Sequence, residues 1–147
     1  MSLIVLEGLD GSGKGTQAQL LYEALSARYG RVRKITFPDY GSPSSALVKM
    51  YLNGDFGKNP EEVNAYAASA FYAVDRYASY RADWGMAYDA GEIFVAGRYT
   101  TSNAIHQGAK LSGTARRTYM DWLFDYEYRL LGLPEPDAVI FLDVDVA

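Results

Sequence analysis

Cysteine is absent from this 147-residue chain, which excludes disulfide staples and thiol chemistry and fits a cytoplasmic protein. No apolar run approaches the roughly 20 residues that a membrane-spanning helix needs. The opening stretch "MSLIVLEGLD" lacks the pattern of a secretory signal. Positive charge is scarce, with 14 Lys and Arg against 18 Asp and Glu, a net charge of −4 and a pI of about 4.9. That balance argues against a broad nucleic-acid surface, as the missing apolar run argues against a membrane partner, so an anionic ligand must be held by local groups of Arg, Lys and backbone N–H. Internal repeats and low-complexity tracts are missing too, and nothing marks a second domain. A hydrophobic fraction of 49% and a charged fraction of 22% then describe an ordinary globular chain with one substantial core.

What the chain does have is "GLDGSGKGT", Gly8 to Thr16. It follows the apolar run "LIVLE", suited to a buried strand. It precedes a stretch in which Leu20, Leu21 and Leu25 recur at helical spacing. Strand, glycine loop and helix are the context a phosphate-binding P-loop requires, and Gly8, Gly13 and Lys14 satisfy its GxxxxGK pattern. Glycines let the backbone approach phosphate closely, so that N–H groups of Gly11, Ser12, Gly13, Gly15 and Thr16 face the anion while Lys14 adds a mobile charge. Gly15 stands where a Ser or Thr hydroxyl usually meets Mg²⁺, and the hydroxyl arrives one residue later as Thr16.

Downstream, "VRKITF" reads as a second strand, "FPDYGSPSS" as a loop and "SALVKMYLNG" as a helix ending at Gly54. "KNPEEV" reads as a helix start, with Asn59 as N-cap, Pro60 in the first turn and Glu62 closing a capping box. The helical stretch runs from there toward Ala90 with a kink or break, being long for a globular helix. "EIFVAG" is a third strand, "RYTTSN" a loop, residues 114–132 a further helix, and "DAVIFLDVD" a fourth strand. This alternation predicts an α/β fold, three layers with a central parallel sheet covered by helices on both faces. Ligands then sit at the carboxyl ends of the strands, where the P-loop, "FPDYGSP" and "GRYTTSN" lie.

Two arginines compete for a second phosphate. Arg98 directly follows the third strand at the binding edge, where its planar fork suits a phosphate. Arg76 reads either as a ligand group or as a solvated helix charge paired with Asp75 or Asp83. The thirteen tyrosines read mainly as surface packing of amphipathic helices, with a few able to stack on a base. The "YMDWLFDYEYRLLG" segment reads either as a core-facing helix or as part of a subunit interface.

Taken together, "LEGLDGSGKGTQ", "FPDY", "FYAVDR", "GRYTTSNAIHQGAK" and "FLDVD" resemble the thymidylate kinases, in order and spacing, over essentially the whole chain. The resemblance implies a P-loop kinase that phosphorylates thymidine 5′-monophosphate with ATP and Mg²⁺, acting as a cytoplasmic homodimer. It implies that Asp10 accepts the sugar 3′-hydroxyl, and that Tyr40 and Arg98 lie near the acceptor phosphate, with Phe37 and Pro38 in the same "FPDY" stretch. Tyr72 would stack on thymine, with Phe71 its adjacent competitor. Arg76 would meet a thymine carbonyl and Asn103 the pyrimidine edge, Ser102 supporting. His106, the sole histidine, would lie near the sugar 2′ position rather than act as a base. Lys14 and Arg98 would carry the catalysis.

Three departures accompany the resemblance. Gly97 stands where the family commonly has Asp before Arg-Tyr, which together with Gly15 leaves the metal ligands unassigned. Water-mediated holding by Asp10 or Asp143 is one alternative and a slow or inactive protein the other. Gly11 stands where some members carry a basic residue. The family's Arg-rich lid and adenine-contacting segment would fall beyond Ala147, so residues 1–147 are expected to form a single P-loop kinase domain truncated before them. Two other functions remain open: a deoxynucleoside kinase of similar fold, for which Glu7 is the evident base, and a nucleotide-binding homologue with impaired catalysis.

Overall fold

The computed structural model describes residues 2–145, which cluster into two compact units. The first holds the described residues of 1–37, 83–99 and 134–147, the second residues 38–82 and 100–133. The strands are β1 (Ser2–Gly8), β2 (Val32–Thr36), β3 (Ile93–Gly97) and β4 (Ala138–Leu142). The helices are α1 (Lys14–Tyr29), α2 (Ala46–Asn53), α3 (Ala65–Ser79), α4 (Gly85–Asp89), α5 (Thr100–His106) and α6 (Gly113–Phe124). All four strands are in the first unit, parallel and ordered β2-β3-β1-β4, as the βα alternation predicts.

Register aligns the strand ends. Leu6 is opposite Gly97, Thr36 opposite Gly97, and Gly8 opposite Leu142, so the P-loop, Phe37 and Arg98 all leave the sheet along one edge. One face of the sheet packs Leu6, Val32 and Val95 against Ala18 and the partly buried Leu21 and Leu25 of α1, the burial of each of the three strand side chains contributing roughly 1.5–3 kcal/mol. The other face carries Phe94, whose ring lies 5.3 Å from that of Trp84, with Phe37 6.5 Å from Trp84 and 5.9 Å from Tyr99. β4 departs from the expected two-sided cover: Val139, Ile140 and Phe141 are exposed among the described residues. Its start is pinned by Asp137, whose carboxylate accepts the Leu3 N–H at 2.8 Å while its own N–H donates to the Leu3 carbonyl at 2.9 Å.

The second unit is helical. The capping box forms, with the Glu62 carboxylate accepting from the Asn59 backbone N–H and side-chain amide at 3.2 Å. It closes only the single 3₁₀ turn Pro60–Glu62, because Val63 turns extended. The long helix instead starts at Ala65, where Asn64 accepts from the N–H groups of Tyr66 and Ala67. The expected break is a π-helical turn at Tyr80–Trp84, and a second one, Asp125–Leu130, continues α6. "RYTTSN" is not a loop beyond Tyr99, since α5 begins at Thr100. Thr, Ser and Asn are weak helix formers, but Thr100, Ser102 and Asn103 are buried and packing overrides propensity.

The unit's core joins Ala65, Tyr119 and Leu123, and the Tyr119 hydroxyl lies 2.6 Å from Ser69 Oγ and 3.1 Å from the Asn103 carbonyl, to which it donates. Burial pushes the Tyr119 phenol from 10.0 up to about 12, the Ser69 hydrogen bond opposing. The folded state therefore holds this proton more tightly than the unfolded chain. The resulting stability is whole below pH 10 and is lost as pH rises through about 12. Urea titrations across that range should show the midpoint falling steeply for the native chain and less steeply for Tyr119→Phe; parallel falls would reject the assignment.

Candidate active site

The P-loop is built by backbone conformations that only glycine adopts cheaply. Gly11 and Gly13 have φ of 82° and 85°. At Gly8 a Cβ would come within 2.7 Å of Ser12 Oγ, so the strand can enter the loop only without a side chain. The Ser12 N–H donates to the Leu9 carbonyl at 3.1 Å, closing the turn. Gly13 caps α1 with no side-chain hydrogen bond, and no acidic residue occupies the helix's first turn. The leading N–H groups and the helix dipole are therefore presented to an anion. Ser12 Oγ is buried with no hydrogen-bond partner among the described residues, an unmet donor inside the cradle.

Around the cradle stand three charges. Lys14 Nζ donates to the Gly8 carbonyl at 3.3 Å and lies 3.9 Å from Asp10, while Arg98 Nη2 donates to the Asp10 carboxylate at 2.5 Å. Burial, and next the charge of Arg98, lower the Lys14 pKa, with Asp10 and Glu7 opposing. Arg98 is the single non-glycine residue with positive φ among the described residues, at 67°, a conformation that costs about 1–2 kcal/mol. It is held by its own N–H on the Leu6 carbonyl at 3.1 Å and by the following N–H, of Tyr99, on Glu7 Oε1 at 3.0 Å. Glu7 is 1% exposed; it serves this turn and is screened from a solvent-borne hydroxyl. Phe37 belongs to the same unit's buried aromatic cluster.

The second unit groups the remaining sequence-selected residues. Arg76 is not a solvated helix charge: it is 2% exposed and forks onto Glu127, Nε to Oε1 at 2.6 Å and Nη2 to Oε2 at 2.7 Å. Tyr72, one turn earlier on α3, is half-buried and meets Tyr51 edge-on at 6.2 Å, whereas Phe71 packs on Phe56 at 5.3 Å. Asn103 is buried and donates to the Ser69 carbonyl at 3.2 Å. Ser102 is buried beside it, His106 is exposed at the end of α5, and Pro38 is half-buried with Tyr40 exposed. The loop carrying Tyr40 is fixed by Asp75, whose carboxylate accepts the Asp39 N–H at 2.8 Å and the Ser44 hydroxyl at 2.6 Å.

A family profile described as thymidylate kinase matches residues 6–147. The chain belongs to the thymidylate kinase family. Among curated members, the thymidylate kinase of Mycobacterium tuberculosis is 33% identical over 97% of this chain and 65% of its own length. The human thymidylate kinase is 30% identical over 99% of this chain and 62% of its own. The chain thus spans a little under two thirds of the length of these relatives. A crystal structure of thymidylate kinase from Ehrlichia chaffeensis superposes with a TM-score of 0.71 at 26% identity, covering 98% of this chain and 77% of that one. A thymidylate kinase from Candida albicans superposes at 0.66 and 27% identity, over 99% of this chain and 64% of that one. With these likenesses, the first unit's sheet and loop are those of a P-loop NTPase fold.

Three acidic residues escaped the sequence reading in these roles. Glu127 and Asp75 hold Arg76 and the Asp39–Ser44 segment, and Glu7 holds the Arg98 turn. Each acts over a separation of 31 residues or more, and only an acidic residue in an otherwise apolar run, as in "LIVLEG", hints at it. For a divalent cation, the described residues contain no group of three His, Cys, Asp or Glu that would form a site, and Asp10 is already engaged by Arg98. These residues do not build a cation site of their own. At Gly97 a Cβ would meet nothing closer than Thr36 at 3.9 Å, so glycine there is not required by space.

Proposed function

We propose that the protein transfers the terminal phosphoryl group of ATP to thymidine 5′-monophosphate, forming the diphosphate. The observation that carries this is the cluster of Lys14, Asp10 and Arg98 around an uncapped P-loop: cations for transferred and acceptor phosphates, and a carboxylate able to accept a sugar hydroxyl. Gly8, Gly11, Ser12, Gly13, Lys14, Gly15 and Thr16 hold the donor phosphates, chiefly through backbone N–H. Tyr72, Arg76 and Asn103 read the pyrimidine, with Phe71 the adjacent competitor for stacking and Ser102 in support, while Phe37, Pro38 and Tyr40 shape the acceptor-phosphate side and His106 the sugar side. Residues 1–147 are read as one kinase domain, with ATP and dTMP as ligands, a homodimeric state and a cytoplasmic location belonging to the same reading. Among the described residues no helix is long and apolar enough to cross a membrane.

The acceptor is a phosphate oxygen, largely ionised at neutral pH because its second pKa is about 6. No side chain need remove a proton, and the work is alignment and neutralisation of charge on the transferred group. Lys14 and Arg98 supply that neutralisation. The family's divalent ion would neutralise charge on the donor phosphates; no step is assigned to it, since Gly15 and Gly97 offer it no ligand. A deoxynucleoside kinase would need a base, and Glu7 is buried on the Tyr99 N–H, so that reading is not favoured. ADP release measured with thymidylate, thymidine or no acceptor, on this chain and on its full-length gene product, tests the proposal. Thymidylate-dependent release supports it. Thymidylate binding without release from either would favour a non-catalytic homologue.

A further inference from the structure

Glu127 is fully buried, and both its oxygens are committed: Oε1 accepts from Arg76 Nε at 2.6 Å and from Thr100 Oγ1 at 3.0 Å, and Oε2 accepts from Arg76 Nη2 at 2.7 Å. We propose that Glu127 is a positioning residue for base selection, fixing the plane and heading of the Arg76 guanidinium so that it discriminates between a pyrimidine carbonyl and an amino group. The proposal rests on the assignment of Arg76 to the thymine base made above.

Three observations carry it beyond a structural ion pair. First, the contact is side-on: it takes the Nε–Nη2 edge of the fork, which locks the terminal torsions of Arg76 and directs the Nη1 edge away from Glu127. Second, Arg76 shares a face of α3 with Tyr72 four residues before it, and Thr100 shares α5 with Asn103. The Glu127 carboxylate therefore ties together the two helices that carry the base-reading residues, α3 through Arg76 and α5 through Thr100. Third, Glu127 lies on the π-helical turn Asp125–Leu130, a local geometry that is rare overall and frequent at functional sites. Two apolar residues would join these helices without taking charges out of water; they would not aim a donor.

The chemistry of selection follows. Thymine presents a carbonyl where cytosine presents an amino group. A guanidinium held in one orientation gains a hydrogen bond from the first and meets a donor in the second, while a swivelling one can turn aside.

Calorimetric titration with thymidylate, deoxycytidylate and ATP tests this on the native chain, Glu127→Gln and Thr100→Val, with near-ultraviolet circular dichroism to report packing. Glu127→Gln is expected to weaken thymidylate binding about tenfold and to narrow its preference over deoxycytidylate, while ATP affinity stays within about twofold. Thr100→Val keeps the Arg76 pair and should produce a smaller loss in the same direction. A folded Glu127→Gln with native thymidylate affinity and selectivity overturns the proposal, as does an equal loss for thymidylate and ATP, the mark of a merely structural role. If Glu127→Gln fails to fold, Thr100→Val decides: unchanged thymidylate affinity and selectivity overturn the proposal. Absence of thymidylate binding by the native chain would instead reject the functional assignment, and this proposal with it.

Discussion

Lys14→Ala is expected to lower thymidylate-dependent ADP release by at least about a hundredfold while leaving thymidylate affinity within about twofold. The asymmetry follows from placement. Lys14 sits at the start of α1, bonded to the Gly8 carbonyl, on the loop proposed above to hold the donor phosphates, and it is distant in sequence from the residues proposed to read the base. Its charge is most valuable when negative charge shifts toward the leaving oxygen, so its loss should fall on the chemical step. Because burial and Arg98 already lower its pKa, the ammonium is pre-set to prefer a nearby anion. Steady-state kinetics paired with thymidylate titration make the check, and equal losses in turnover and thymidylate affinity would contradict it.

Arg76→Leu should destabilise the fold by about 3–5 kcal/mol, because it leaves a buried carboxylate with no countercharge. Glu127 has no exposed surface, and the remaining Thr100 hydrogen bond cannot neutralise it. That is a large share of the roughly 5–15 kcal/mol that typically separates folded from unfolded chains. The double variant Arg76→Met with Glu127→Leu should recover most of the loss, since two apolar groups of similar volume need no compensation. Urea denaturation of the three proteins measures both effects. A single-variant loss below about 1 kcal/mol, the range of a surface pair, would mean that Glu127 reaches water after all.

The two variants divide the molecule as its own sequence does. The P-loop was legible because its chemistry is contiguous: glycines, lysine, preceding strand and following helix lie within Ser2–Tyr29, and each imposes a local backbone requirement. Parallel strands alternating with helices were legible for the same reason, through periodicity. Arg76 was not legible as a buried group, because its partner lies 51 residues away and a helical Arg beside an Asp looks like any solvated charge. α5 was missed because Thr-Thr-Ser-Asn carries little helical preference, and the Asn59 capping box was assigned to the wrong helix because a capping signal does not say how many turns follow it.

The sequence by itself determined the α/β class and the glycine loop between strand and helix, since these follow from near-neighbour sterics and hydrophobic periodicity. The tertiary structure alone decided the strand order β2-β3-β1-β4, the left-handed turn at Arg98 and the burial of Arg76 on Glu127. Each of these is set by groups distant along the chain, whose meeting is a matter of packing and burial that no local pattern of residues encodes.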